Sequence, residues 1–230
     1  MNDDNVLSAI AGYLDTLSFV ALFGLFTAHV TGNFVLIGAG IAGYGQGVFL
    51  KLMAFPAFII GVVLSSFIIR TCNPDTPMRG ARMLYGVQAA LLLAFCIAGV
   101  NLGRQFTPDG WPAVICGMIG ASAMGVQNAH SRLVARPGVP NTVMTGNVTQ
   151  VILDVLDLCS PRVTADAKRT SRARAAKMLP AIVAFGLGAI AGALAYSTVG
   201  FWALLLPFAG VTLLAIRAWM HRNAVDKVVS

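Results

Sequence analysis

The sequence predicts an all-α polytopic membrane protein with about six transmembrane helices, arranged as two inverted three-span repeats. Three observations lead to this class. Hydrophobic residues make up 57% of the 230 residues and charged residues 11%, whereas soluble domains hold roughly 45–50% and about 25%. Six apolar segments have the roughly 20 residues that a helix needs to cross about 30 Å of hydrocarbon. The triplet Thr-Gly-Asn occurs at 31–33 and again at 145–147.

The predicted spans follow from these apolar segments. They cover 7–28, 51–70, 82–101, 111–131, 178–197 and 199–217. The first is expected to be a retained span, because the chain starts with Met1-Asn2-Asp3-Asp4 and a signal peptide would start with basic residues. Two shorter apolar segments, 33–47 and 144–158, follow the triplets and are predicted to be broken or re-entrant helices. We expect residues 1–230 to form a single integral membrane domain.

Basic residues predict the orientation in the membrane. The net charge is +7, and Lys and Arg collect around 71–81, in a predicted loop at 159–177 and in the tail, which favours a cytoplasmic side for all three. Both termini would then be cytoplasmic in a bacterial inner membrane. Each basic cluster flanks an apolar segment, so topology explains it better than nucleic-acid binding, and no nucleic-acid partner is expected. A seven-span alternative stays open, because the first residues lack Lys and Arg and the uncharged segment 33–47 could cross fully.

The two halves of the chain, 7–101 and 111–217, resemble each other. "GYLDTLSF" from Gly12 aligns with "GVQNAHSR" from Gly125, which pairs Asp15 with Asn128. "AFIIGVVLSS" from residue 57 aligns with "AFGLGAIAGA" from residue 184. Each half holds three spans, an odd number, so the second half would run in the opposite sense. Inverted repeats with interrupted helices are typical of transporters and channels that bind solutes near the midplane.

The triplets are predicted to interrupt their helices. Glycine permits unusual backbone angles, the threonine hydroxyl can cap the following short helix, and asparagine offers donors and acceptors. Two such breaks from opposite sides could place two helix N-termini at a central site for an anionic or carbonyl-bearing solute. The alternative is that both triplets only cap helices at the membrane–water edges. The residues concerned are Thr31, Gly32, Asn33, Thr145, Gly146 and Asn147.

Polar side chains on the adjoining helices complete the predicted substrate site. Asp15 lies midway along the first span, where an ionisable group is costly and usually functional, and it is a candidate proton-coupling carboxyl. It could instead lie hydrated near the cytoplasmic end, or paired with an arginine. Asp154 would face either a vestibule or water, together with Gln150, and Asp157 is expected to be solvated. The predicted binding residues outside the triplets are Asp15, Ser18, Gln127, Asn128, His130 and Gln150.

Small residues one turn apart predict close helix packing. Gly61 with Ser65, and Gly188 with Gly192, could lie between the halves or between protomers, which leaves a homodimer open. The four cysteines show neither CxxC nor histidine-paired spacing, so we expect no disulfide, metal site or cofactor.

The paired motifs resemble a known family. "GYLDTLSF...TGNFVLIG" followed by "GVQNAHSR...TGNVTQ" is similar to the YoaK-like bacterial membrane proteins, domain of unknown function 1275. The resemblance covers nearly the whole chain. It implies an inner-membrane protein of about six spans and supplies neither substrate nor mechanism.

The sequence favours a small-solute transporter or channel, with or without proton coupling. Its expected partners are a small polar or anionic solute and membrane lipids, with basic residues touching anionic headgroups. One alternative is a membrane scaffold or assembly protein without transport. The other is a lipid-acting enzyme, which the sequence disfavours because no nucleophile motif, metal cluster or paired-aspartate motif is present.

Overall fold

The structure, a computed structural model, describes residues 3–72, 77–134 and 144–229. Across these ranges it has no strand, which confirms the all-helical class. Three short 3₁₀ helices occur at Val30–Gly32, Gly103–Gln105 and Gly200–Leu204. The α-helices of the described residues are α1 (Asp3–Ala21), α2 (Asn33–Ile41), α3 (Val48–Thr71), α4 (Pro77–Leu102), α5 (Trp111–Leu133), α6 (Met144–Cys159), α7 (Ala165–Val199) and α8 (Leu205–Val229).

The surface and the helix lengths are those expected in a membrane. Three stretches of the described chain are long and apolar enough to cross a bilayer: Val48–Thr71, Gly80–Gln105 and Ala165–Met220, the last of which covers most of α7 and α8. Helices α3 and α7 leave large apolar side chains exposed in rows, among them Ile59, Val63, Leu187 and Leu194. Soluble monomers rarely expose apolar patches of this extent.

Two predicted boundaries were wrong. The predicted span 7–28 is too long, because α1 ends at Ala21 and the positive φ angles of Phe23 (50°) and Gly24 (78°) turn the chain there. The predicted loop 159–177 is largely helical, because α7 begins at Ala165. The Thr164 hydroxyl caps α7 by accepting a hydrogen bond from Ala167 N, and the alanines and arginines that follow are good helix formers.

The backbones of α1 and α7 are in direct contact. A Cβ atom on Gly12 would collide with the carbonyl oxygen of Phe185, and a Cβ atom on Gly188 would collide with the carbonyl oxygen of Ala9. Apolar side chains gain little by leaving lipid for protein, so helices in a bilayer associate through such close packing. The two glycines therefore set the distance between the helices.

Helices α3 and α5 meet in the same way. A Cβ atom on Gly125 would collide with the carbonyl oxygen of Phe58, and one on Gly61 would collide with that of Ser122. These four residues occupy the positions that the sequence alignment pairs with Gly12, Phe185, Gly188 and Ala9. The two crossings thus use corresponding residues of the two halves, and each joins a helix of one half to a helix of the other.

Helix α6 packs on α7 with its polar side inward. Asp154, with none of its surface exposed, accepts hydrogen bonds from Arg174 Nε and Gln150 Nε2, both at 3.0 Å. Asp157, expected to be solvated, is half-buried and accepts from Ser171 Oγ at 3.0 Å. The two helices run antiparallel, because the earlier residue on α6, Asp154, pairs with the later residue on α7, Arg174. The outward side of α6 is apolar and consists of Val148, Ile152, Leu153, Val155 and Leu156.

The glycine contact can be tested with a pair of substitutions on α7. Gly188→Ala is expected to lower the free energy of unfolding by about 1–3 kcal/mol, because the added methyl group overpacks the crossing. Gly186→Ala is the control, since a Cβ atom there meets nothing within 4 Å, and it should be neutral or slightly stabilising. Thermal unfolding of the purified protein measures both. Equal effects of the two changes would contradict the packing assigned to Gly188.

The ion pair between α6 and α7 predicts a pH dependence. The Arg174 guanidinium holds the pKa of Asp154 below its usual range, so the pair contributes stability above about pH 4, the pKa of an unperturbed aspartate. This contribution is lost as the pH falls through the lower pKa of the folded state. We expect Asp154→Asn to lower the melting temperature at pH 7, and the difference from wild type to narrow below about pH 4. A difference that stays constant down to pH 2 would rule out the charged pair as its cause.

Candidate functional site

Asp15 lies buried in α1, with 4% of its surface exposed. Its carboxylate accepts hydrogen bonds from the backbone of the segment that folds back after α1. This segment, residues 22–32, is called the returning segment below. Oδ1 accepts hydrogen bonds from Thr27 N at 2.9 Å and Ala28 N at 2.6 Å, and Oδ2 accepts from His29 N at 3.1 Å. Hydrogen bonds to a charged group contribute about 1.5–3 kcal/mol each. The carboxylate therefore anchors a returning segment whose backbone has no helical partners there.

The side chain of His29 contacts this carboxylate. The Nδ1 atom of His29 lies 2.5 Å from Asp15 Oδ2, and the His29 ring packs edge-on against Phe185 of α7, with 5.3 Å between ring centroids. Ser18 and Thr27 are buried with a hydroxyl–hydroxyl distance of 3.2 Å. We call Asp15, Ser18, Thr27 and His29 the Asp15 cluster. It combines an ionisable pair with two hydroxyl groups.

The first triplet does not break a helix. Gly32 has helical angles, φ −62° and ψ −25°, and the cap of α2 lacks a side-chain hydrogen bond, so the predicted unusual backbone at Gly32 and the predicted Thr31 cap are wrong. The chain has already turned at Phe23 and Gly24. Glycine is suited to position 32 because a Cβ atom there would lie 3.1 Å from the Phe26 ring.

Asn33 supports the returning segment from the other end. It is fully buried, and its side chain makes two hydrogen bonds with the backbone of one residue. Oδ1 accepts from Phe26 N at 2.9 Å and Nδ2 donates to Phe26 O at 2.8 Å. Asn33 thus satisfies both backbone groups of Phe26.

The second triplet lies in the first turn of α6. Thr145 and Gly146 are exposed, whereas Asn147 is buried, and all three residues are helical. The segment that would correspond to the returning loop, 135–143, lies outside the described residues. Asn128, paired with Asp15 in the sequence alignment, is half-buried on α5.

A second group of predicted residues lies near the start of α1. Gln127 Nε2 donates to Leu7 O at 2.8 Å, and Gln127 Oε1 accepts from Gln88 Nε2 at 2.7 Å. His130 is 4% exposed and stacks on Tyr85, with 4.5 Å between ring centroids. Neither ring nitrogen of His130 has a hydrogen-bond partner among the described residues. Buried polar atoms without partners are uncommon and indicate a place for water or a small polar molecule.

The predicted binding residues are therefore distributed over three places. Leu7, the partner of Gln127, precedes Asp15 by eight positions, which is about 12 Å along α1. Asn147 and Gln150 lie on α6, which packs on α7, while α2 packs on α3. The short helices do not form a packed interface with each other in the described chain.

Sequence reasoning missed Lys51, a charged residue at the start of α3. Lys51 is 2% exposed, and its Nζ donates to Phe23 O at 2.7 Å and to Gln46 O at 2.6 Å. In the sequence it resembles an interfacial lysine at the end of a span. Only the fold brings the two carbonyl groups around it. Gln88 was also missed, because nothing in the sequence indicates that it meets Gln127.

Comparisons with known proteins identify the family of the chain and agree with a membrane protein. Residues 5–217 match a family model described as a protein of unknown function, DUF1275. The chain is also similar to the UPF0700 transmembrane protein YoaK of Bacillus subtilis (strain 168), with 27% identity over 152 residues, which are 66% of this chain and 65% of that protein. The match thus covers slightly less than two thirds of that relative, and no solved structure matches the chain. Because the family model spans nearly the whole chain and both Thr-Gly-Asn triplets, the chain belongs to the DUF1275 family.

Proposed function

We propose that the protein moves a small polar or anionic solute across a bacterial inner membrane. In this proposal α1, α3, α4, α5, α7 and α8 are the six spans, both termini are cytoplasmic, and the two halves are inverted repeats. The observation that carries the proposal is the correspondence between the α1–α7 and α3–α5 crossings. Transporters built from inverted repeats change access by moving one element against its counterpart.

The correspondence extends beyond sequence similarity. Each crossing brings together a glycine from the first helix of one half and a glycine from the third helix of the other half. Chance similarity between apolar helices would not reproduce the same backbone contacts at aligned positions. The crossings therefore favour a common fold for the two halves, with the halves interlocked.

The position of α6 also supports a central site. Asp157 with Ser171 and Asp154 with Arg174 set the register of α6 against α7. Continued along both helices, that register brings Asn147 level with Ala181, one turn before Phe185. The Phe185 ring in turn contacts His29. The start of α6 thus points along α7 towards the Asp15 cluster.

We assign proton coupling to Asp15 and His29. They form an ionisable pair in which Asp15 is buried and a third of the His29 side chain is exposed, and intramembrane acidic and histidine residues are common in proton relays. The Asp15 carboxylate also holds the returning segment, so protonation would weaken its hydrogen bonds to the backbone. Solute movement and protonation would in this way be linked through one side chain.

Flux into proteoliposomes tests the proposal. A panel of small polar and anionic solutes is offered with and without a pH gradient. We expect gradient-driven uptake of at least one solute, and at least a tenfold loss in Asp15→Asn, which keeps an acceptor oxygen for the backbone but removes the charge. Asp166→Asn, an exposed aspartate in the first turn of α7, is the matched control and should transport normally.

Three outcomes would count against the proposal. Absence of flux for every solute in protein that melts cooperatively would favour the scaffold alternative. Unchanged flux in Asp15→Asn combined with Asn33→Ala would remove these residues from the mechanism. Suppose that Asp15→Asn loses both flux and its cooperative melting, while His29→Gln keeps normal flux. That combination would assign Asp15 a role in folding only.

A further inference from the structure

Lys51 is a buried cation whose partners are carbonyl oxygens of the main chain. Its ammonium group donates to Phe23 O at 2.7 Å, to Gln46 O at 2.6 Å and, at the longer distance of 3.5 Å, to Gly47 O. An ammonium group has three N–H donors, so these acceptors match its full capacity. Because only 2% of Lys51 is exposed, its charge is stabilised by these oxygens in place of water. We call the carbonyl oxygens of Phe23, Gln46 and Gly47 the carbonyl cage.

The cage is formed at two turns of the main chain. Phe23 has a φ of 50° and Gly24 a φ of 78°, and Gly47 has a φ of 71°. These angles lie in the left-handed region, which residues other than glycine rarely adopt. Glycine also leaves room for the cation, since a Cβ atom on Gly47 would lie 3.3 Å from Lys51 Nζ. The two turns thus present their carbonyl groups to one ammonium group.

Asp109 supplies the opposite charge. Its Oδ1 accepts a hydrogen bond from Leu50 N at 3.0 Å, and Leu50 directly precedes Lys51. The carboxylate is therefore within electrostatic range of the ammonium group, while the hydrogen bonds of the cage come from the main chain. This combination makes a buried positive charge tolerable at the start of α3.

The cage closes the base of the excursion between α1 and α3. Phe23 lies just after the end of α1, and Gln46 lies just before α3 begins. The chain between them comprises the rest of the returning segment and α2, so both ends of this stretch are joined through one side chain. Thr27, whose N–H group donates to Asp15, follows Phe23 by only four positions. The cage therefore fixes the chain immediately before the groups that Asp15 binds.

We propose that the carbonyl cage is a binding site for a primary ammonium group, filled from within the chain by Lys51, and that its occupation positions the returning segment against Asp15. The site accepts a cation that carries several N–H donors and fits the space of the lysine head. Removal of the lysine side chain leaves the oxygen atoms without their donor, beneath a turn whose residues 42–46 are exposed. A free primary amine is then the expected occupant. This site goes beyond solute transport and does not depend on it.

Chemical rescue combined with hydrogen exchange tests the site. Lys51→Ala removes the side chain beyond Cβ, and n-propylammonium in the buffer restores the same atoms. The readout is exchange of the backbone amides of Thr27, Ala28 and His29, which donate to Asp15. We expect these amides to exchange faster in Lys51→Ala by about tenfold or more, the factor that loss of one hydrogen bond to a charged group provides. n-Propylammonium should restore the wild-type rate, whereas tetramethylammonium, which has the charge but no N–H donor, should not.

Matched variants separate the site from a general effect of charge. Lys51→Met keeps the length of the side chain but lacks the donors, so it should show the same fast exchange. n-Propylammonium should not reverse it, because methionine occupies the space of the lysine stem. Arg104→Ala removes an exposed basic residue from the 3₁₀ helix at Gly103–Gln105 and should leave the returning segment unchanged. The amides of α4 are the internal reference and should keep their wild-type rates.

Several results would overturn the proposal. These are wild-type exchange of the returning segment in Lys51→Met, equal rescue of Lys51→Ala by tetramethylammonium, and absence of rescue by n-propylammonium. An equal rise of exchange in α4 and in the returning segment would assign Lys51 to global folding only. Failure of Lys51→Ala to fold even with n-propylammonium present would do the same, whereas folding only in its presence would support the site. Flux is not measured, so these results are independent of the transport assay.

Discussion

Backbone contact between helices is the constraint on which the other features depend. Hydrocarbon chains of lipid solvate leucine as well as a protein core does, so burial of apolar side chains adds little to helix association in a bilayer. Gly12 against Phe185, and Gly125 against Phe58, bring main chains into contact where any side chain would collide. Asp15 lies one turn beyond Gly12, so this approach also fixes where its carboxylate meets the returning segment.

The returning segment shows how irregular backbone is satisfied at depth. Peptide groups without helical partners are tolerated within a membrane protein only when other groups supply hydrogen bonds. Asp15 supplies them for Thr27, Ala28 and His29, and Asn33 for Phe26. The asparagine of the triplet thus has a defined structural task, which is compatible with the solute site proposed beside it.

Composition and segment length were sufficient to predict helical class and the approximate positions of the six long helices, because a bilayer admits few solutions for an apolar chain. The small-residue pairs, Gly61 with Ser65 and Gly188 with Gly192, likewise predicted close packing. The turn at Phe23 and Gly24 was not predicted, since a positive φ is uncommon for phenylalanine and no pattern in the sequence marks it. The first triplet was misread as a break, because glycine allows many conformations and only the nearby Phe26 ring shows why position 32 requires glycine.

Pairings between distant side chains were beyond the sequence for a similar reason. Asp154 could have faced water or a vestibule, and the arginine that neutralises it comes from a segment expected to be a loop. Gln127 was selected as polar, but its partners, Leu7 and Gln88, lie on other helices. Local patterns define helices, and the registers between helices determine which polar groups meet.

The burial of Lys51 has a consequence for how the chain is assembled. Its ammonium group is held by the carbonyl oxygens of Phe23 and Gln46, both of which precede it in the chain. In the proposed topology this lysine starts a span on the outer side, so a positive charge must be carried across during biosynthesis. The acceptors emerge from the ribosome first, and the charge can be received by an already translocated hairpin. Insertion would then be ordered, with the first helix and its returning segment acting as the template for the third.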